Sequence, residues 1–216
     1  MNIEPSPLRQ LHIDHLVYAA PDLDEGIAQI EKNLGTRPKA GGRHPNWGTC
    51  NALVSLGNRS YLEVIGPDPQ NPDFSGKRPF SIDSLGAPRL ASWAVAASNL
   101  DELSYLARGY GFDLGEIQDG SRQLPGGGWL TWRLSDPLQD RLDGVMPFFI
   151  DWGASAHPSQ TAPSGGRLAG LRLFHPQAQH LQEFLAAAGI AQPVEPASKP
   201  LILAKIRTHD GWVEIS

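Results

Sequence analysis

The chain has 216 residues, 40% of them hydrophobic and 19% charged, with a formal net charge of −5. That length buries a sizeable core, and the scattered Lys and Arg form no basic stripe, so nucleic acid is not an expected partner. Cys50 is the only cysteine, which excludes an intrachain disulfide.

The opening residues "MNIEPSPLRQ" lack the apolar run of a secretory signal, and no stretch is long enough to span a bilayer. The expectation is a cytoplasmic protein with no membrane partner. The 19 prolines and 23 glycines predict many turns rather than a helical bundle.

The first strand is expected at "LHIDHLVYAA", residues 11 to 20. Alternation puts Ile13, His15 and Val17 on one face and Asp14, Leu16 and Tyr18 on the other. A helix follows from Asp22 as N-cap, with Glu25 three residues on, to a stop at Gly35. Leu23, Ile27, Ile30 and Leu34 form its apolar stripe. The stretch "GGRHPNWGT" reads as a glycine-rich loop, and "NALVSLG" and "SYLEVIG" read as two strands joined by a turn.

The same order recurs. From Leu90, "LASWAVAASNLDE" matches "IDHLVYAAPDLDE" without a gap, with Asn99 in place of Asp22, and strands follow at "GWLTWRL" and "VMPFFIDWG". A third, shorter copy begins at "LAGLRLFHP", continues through the helix "QAQHLQEFLAAAG" and ends in "LILAKIR" and "GWVEIS", where Glu214 takes the place of Glu63. Self-similarity at this scale means one supersecondary unit used more than once. The expected fold class is α+β, in a single domain spanning 1–216 and built from units 11–67, 90–153 and 167–216. The Pro- and Gly-rich segments 66 to 89 and 153 to 167 read as connections between units that cannot fold alone.

These words carry a resemblance. "IDHLVYAAPDLDEGI", "GGRHPNWGTCNALVSLG" and "YLEVIGP" resemble the glyoxalase-like domain family of the vicinal oxygen chelate (glyoxalase/bleomycin resistance/dioxygenase) superfamily, most densely over residues 11 to 67. The resemblance implies repeated βαβββ units that form an open curved sheet around a pocket, helices on the outer face, with the first and last strands of a unit adjacent. It names no substrate, because the superfamily includes lyases, isomerases, dioxygenases and metal-free binding proteins.

Alternation puts Tyr61, Glu63 and Ile65 on the face away from the helix, as it does His15. In the topology the resemblance implies, His15 and Glu63 meet on one concave surface. A partly buried carboxylate needs a partner or a metal. Imidazole and carboxylate suit Zn, Fe, Mn or Ni, and His15, His44 and Glu63 make a candidate metal set. His15 and Glu63 are also the candidate catalytic pair. Arg43, His44, Trp47, Asn51 and Trp93 are candidate substrate contacts, with Phe148 and Phe149 as further apolar walls. His44 is either a third ligand or, beside Arg43, a contact for an anionic substrate.

Against a two-unit metal site, the second- and third-copy positions matching His15 are Ser92 and Gly170. Two functions follow. One is a small-molecule enzyme, a lyase, isomerase or dioxygenase, whose divalent metal stabilises an enolate-like intermediate. The other is a metal-free protein that binds or sequesters a small molecule. Either leaves a homodimer open.

Overall fold

A computed structural model describes residues 11–57, 59–123, 129–139 and 141–216. The first unit runs β1 (His12–Ala19), α1 (Leu23–Leu34), β2 (Lys39–His44), β3 (Thr49–Ser55) and β4 (Tyr61–Pro67). The second runs β5 (Arg89–Ala96), α2 (Leu100–Gly109), β6 (Ile117–Gln123), β7 (Trp129–Ser135) and β8 (Phe148–Asp151). The two share one eight-stranded sheet in the order β2-β3-β4-β1-β5-β8-β7-β6. In each unit the first strand pairs in parallel with the last, β1 with β4 and β5 with β8. The two first strands pair antiparallel at the centre. The strand order therefore reads the same outward from β1 as from β5. The sheet curves until its far edges, β2 and β6, come into contact.

Local chemistry explains the elements. The Asp22 carboxylate accepts the Glu25 N–H at 3.0 Å and caps α1, and Gly35, at φ 69°, closes the helix through an N–H bond to the Glu31 carbonyl. In the second unit Asn99 stands at the cap position without capping; its amide donates to the Glu102 carboxylate instead.

Alternation along the strands divides the core. Leu16, Tyr18, Ala52, Val54, Leu62 and Val64 pack on Ile27, Ile30 and Leu34 of α1. Val17, Ala19, Ile65, Ala94, Phe148 and Ile150 form a second apolar cluster on the concave face.

The third segment forms β9 (Arg167–His175), α3 (Ala178–Ala187), β10 (Val194–Pro196), β11 (Leu201–Arg207) and β12 (Trp212–Ile215). Its sheet, in the order β10-β9-β11-β12, does not repeat the pattern of the first two units. Its last strand pairs with β11 rather than with the first strand, and Glu214 sits opposite Lys205 on an exposed edge. The expected match of Glu214 to Glu63 therefore fails in space: the short words are alike but the strand pairing is not. Through Leu171, Leu173, Leu181, Phe184 and Leu185 this segment completes the core beneath α2 and β5.

The stretch expected as a glycine-rich loop is also different. Residues 39 to 44 form an edge strand paired to β3, and a single 3₁₀ turn, Pro45–Trp47, follows. Gly41 and Gly42 have no positive φ. A Cβ on Gly41 would collide with the Asn51 amide oxygen and lie 2.9 Å from Arg122 Nη1, and one on Gly42 would lie 2.7 Å from Arg122 Cδ. These glycines let an arginine from the opposite edge lie against the strand; they do not turn the chain.

Candidate functional site

The concave face encloses a narrow cavity that is partly open to solvent. His15 comes from β1, Tyr61 and Glu63 from β4, Asn51 from β3, His44 from β2 and Arg122 from β6. Trp47, Phe80, Trp132, Phe148 and Trp152 supply most of the apolar wall.

His15 is held on several sides. It stacks on Tyr61, its register partner, with ring centroids 4.5 Å apart, and meets the edge of Phe148 at 5.2 Å. Its Nδ1 lies 2.7 Å from Asp14 Oδ1. Strict alternation would turn Asp14 to the helix face. The pairing of β1 with β5 skips Asp14, because Ile13 faces Val95 while His15 faces Ala94. This bulge brings the carboxylate alongside the histidine that follows it.

The Trp152 indole N–H donates to Asp14 Oδ2 at 3.0 Å, and His157 Nε2 lies 3.2 Å from the same oxygen. His157 Nδ1 accepts the Ser159 N–H, so its Nε2 carries the proton given to Asp14. Burial alone would raise the Asp14 carboxyl. The hydrogen bonds and charges of His15 and His157 outweigh that and lower it from 3.8 to about 2. With Asp14 ionised, His15 directs its Nδ1–H to that carboxylate, so in the neutral tautomer the lone pair of Nε2 is the one turned to the pocket.

Glu63 Oε2 stands 3.8 Å from His15 Nε2. Its other oxygen accepts the Asn51 amide at 2.5 Å, and the Asn51 oxygen accepts the Gly42 N–H at 2.8 Å. A chain of bonds thus runs from the edge strand to the carboxylate. His44 is buried, with Nδ1 3.0 Å from the Thr49 hydroxyl. Burial lowers its pKa below 6.5, and the charge of Glu63 opposes that shift only in part. A neutral imidazole at pH 7 follows. Burial likewise pushes the Tyr61 phenol well above its ordinary value.

The pocket therefore gathers His15, His44, Trp47, Asn51 and Glu63 from the residues expected from sequence. Three of the expected contacts and walls lie elsewhere. Trp93 is wholly buried on the helix side, its indole N–H bonded to the Val145 carbonyl at 2.8 Å. Phe149 lies in the same core, while its neighbour Phe148 lines the pocket. Arg43 is on an outer groove, its guanidinium bound to Asp68 at 2.7 Å and Gln70 at 2.6 Å.

Arg122 occupies the place expected of Arg43. It lines the inner pocket and, among the described residues, pairs with no carboxylate within 4.0 Å. Nothing in the polar stretch "IQDGSRQ" marks it, apart from two glycines on the opposing strand that make room for it.

The expected metal set is not assembled. Among the described residues no group of three or more His, Cys, Asp or Glu side chains is arranged to hold a metal ion. Asn51 occupies one Glu63 oxygen and Thr49 one His44 nitrogen; His15 Nε2 and Glu63 Oε2 face each other at 3.8 Å, but no third donor joins them among the described residues. The residues present do not fit a divalent ion. They do fit an oriented imidazole beside a carboxylate, opposite an unpaired guanidinium.

The sequence pattern of the Glyoxalase-like domain matches residues 13–189. No match is found among curated proteins. Among solved structures, a hypothetical protein from Staphylococcus aureus is similar, with a TM-score of 0.63 at 13% identity over 95% of this chain and 99% of that one. A methylmalonyl-CoA epimerase from Mycobacterium tuberculosis gives 0.39 at 18% identity, over 64% and 85% of the two chains. A methylmalonyl-CoA epimerase in complex with methylmalonyl-CoA and NH4+ gives 0.46 at 18%, over 69% and 100%. At 13% identity, the likeness to the staphylococcal protein is one of fold.

Proposed function

The chain belongs to the glyoxalase-like domain family, within the vicinal oxygen chelate superfamily, and from that premise we propose a small-molecule enzyme that moves a proton at a carbon next to a carbonyl group. The observation that carries this reading is the Asp14–His15 pair, with Nε2 of His15 turned into an aromatic pocket that Arg122 also lines. Nε2 takes the proton from carbon, and the electron pair of the C–H bond moves onto the carbonyl oxygen as an enolate. Arg122 faces the resulting negative charge. Glu63, steadied by Asn51, is the second acid/base group, close enough to exchange a proton with Nε2 through a substrate hydroxyl or one water. Delivery of a proton to the opposite face of the same carbon, or to the former carbonyl carbon, completes an isomerisation. Departure of a leaving group from the neighbouring carbon completes an elimination, a lyase step. Neither step is routed through a metal.

The test is isotope exchange. Small 2-oxo, 2-hydroxy and dicarbonyl acids are incubated with the protein in D₂O, and deuterium at the carbon beside the carbonyl is followed by NMR. The expected result is exchange with the wild type and none with His15→Gln. The mostly apolar wall favours one second reading, a binder that holds a small molecule without reacting. That reading predicts saturable binding of a pocket-sized compound and no exchange with any compound. Exchange that persists in His15→Gln would overturn the assignment of the base.

A further inference from the structure

A second cavity lies beside the first on the concave side, and Phe80 and Pro137 wall both. It is roomier than the first, again partly open, and its lining is different in kind. Arg78, which also lines it, is paired with Asp83 at 2.6 Å, but Lys77, Arg89 and Arg141 add three cationic side chains with no such pairing among the described residues, against the single lining carboxylate of Asp143. This concentration of positive charge lies in a chain whose net charge is −5.

Arg141 is buried, with 4% of its surface accessible, and meets no described carboxylate within 4.0 Å. Its Nη2 donates to the Ser135 hydroxyl and to the Asp136 carbonyl, and the guanidinium lies over the Phe148 ring at 5.6 Å. Its Nε finds no partner. Ser92, which lines the same cavity with 1% of its surface accessible, has a hydroxyl that finds none either. Two buried polar groups without partners on one cavity are costly unless something binds there.

The fold explains the pairing of sites. Ser92 holds in the second unit the place of His15 in the first. Each follows a residue that the β1–β5 pairing skips, Asp14 in one strand and Ala91 in the other. The two bulges of the central strand pair therefore aim one side chain at each cavity. Gly144, at φ 89°, brings the turn after Arg141 against the Ala91 carbonyl so closely that a Cβ there would overlap it. Phe80, Ser81 and Asp143 line the cavity in left-handed backbone conformations that such residues adopt at a cost.

We propose that this cavity is a binding site for an oxyanion, the phosphate or carboxylate group of a small molecule, held by Arg141 Nε and the Ser92 hydroxyl with Arg89 and Lys77 at its rim. The shared walls Phe80 and Pro137 let one molecule place its anionic end here and its uncharged part in the aromatic pocket. That joint occupancy rests on the function proposed above; the anion site itself does not.

Calorimetric titration of the full chain with inorganic phosphate, and separately with acetate, at low ionic strength tests the site. The expected result is one-to-one binding of at least one of the two, and the tighter one identifies the anion's class. Affinity should fall about tenfold in Ser92→Ala and in Arg89→Gln, as loss of a hydrogen bond to a charged group implies. It should be unchanged in His15→Gln, which separates failure of this site from failure of the proton-transfer reading. Ser92→Ala should also melt at a higher temperature than the wild type when no anion is present, because it removes a buried hydroxyl that has no partner. That combination, a more stable protein that binds less tightly, is the signature of a binding hydroxyl. Failure of the wild type to bind either anion, or equal affinity in Ser92→Ala and Arg89→Gln, would overturn the proposal.

Discussion

At the scale of single residues, Asp14 decides what His15 can do. The carboxylate receives three donors, from His15, Trp152 and His157, so it stays ionised and fixes which imidazole nitrogen carries the proton. Asp14→Asn keeps the size but removes the charge, and an amide offered to His15 Nδ1 favours the wrong tautomer. Exchange activity should fall by about 100-fold or more. The exchange assay checks it, and near-normal rates would mean that His15 is not the base.

Acid should destabilise the fold in two windows. The folded-state pKa of His44 lies below 6.5, so as pH falls the unfolded chain takes its proton first and stability drops. Asp14, lowered from 3.8 to about 2, contributes on the order of 2 kcal/mol above pH 4 that is lost as pH falls towards 2. Thermal melts from pH 7 to 3 should show both losses, and His44→Gln should remove only the upper one. Equal slopes below pH 6.5 in both proteins would show that His44 is not the group titrating.

At the scale of elements, the edge strand β2 and the polar strand β6 make the pocket by meeting across the sheet's open side. Gly41 and Gly42 leave the space in which Arg122 lies. Gly42→Ala puts a methyl group 2.7 Å from Arg122 Cδ, and the arginine, being the flexible partner, must move. The expected outcome is a stability loss of about 1–3 kcal/mol together with weaker binding of any acidic substrate. Gly109→Ala, where an added Cβ meets nothing, is the control for a bare glycine effect. Denaturant unfolding and ligand titration of both variants measure it.

These elements also mark where sequence reading succeeds and fails. Alternation put His15, Tyr61 and Glu63 on one face because β1 and β4 are buried strands whose two faces differ. The same logic missed Asp14, because a bulge interrupts the period of two and leaves no local signature. It missed β2 and β6, whose residues "KAGGRH" and "IQDGSRQ" have almost no apolar alternation; an edge strand needs little. Trp93 was legible in principle, since the gapless match of the two units sets it against Leu16, a helix-facing residue.

At the scale of the whole molecule, two units make the pocket and the third segment makes the core continuous. Phe184 of α3 is wholly buried and touches Tyr110 and Phe112 beyond α2 and Phe149 of β8, so it joins the four-stranded sheet to the eight-stranded one. Truncation to alanine removes the largest fully buried side chain of that segment and leaves a cavity between the layers. A cost of about 3–5 kcal/mol is expected. The consequence depends on how the two parts are coupled. If the third segment folds only against the second unit, Phe184→Ala lowers a single melting transition, and the far-ultraviolet and tryptophan signals move together. If the eight-stranded sheet stands alone, the variant loses the third segment first and two transitions appear. Leu171, Leu173, Leu181 and Leu185 share one core cluster with Leu16, Ile30, Trp93 and Phe149, which favours one transition. The pocket lies on the opposite face of the sheet from Phe184, so ligand affinity measured well below the melting temperature should stay at its wild-type value.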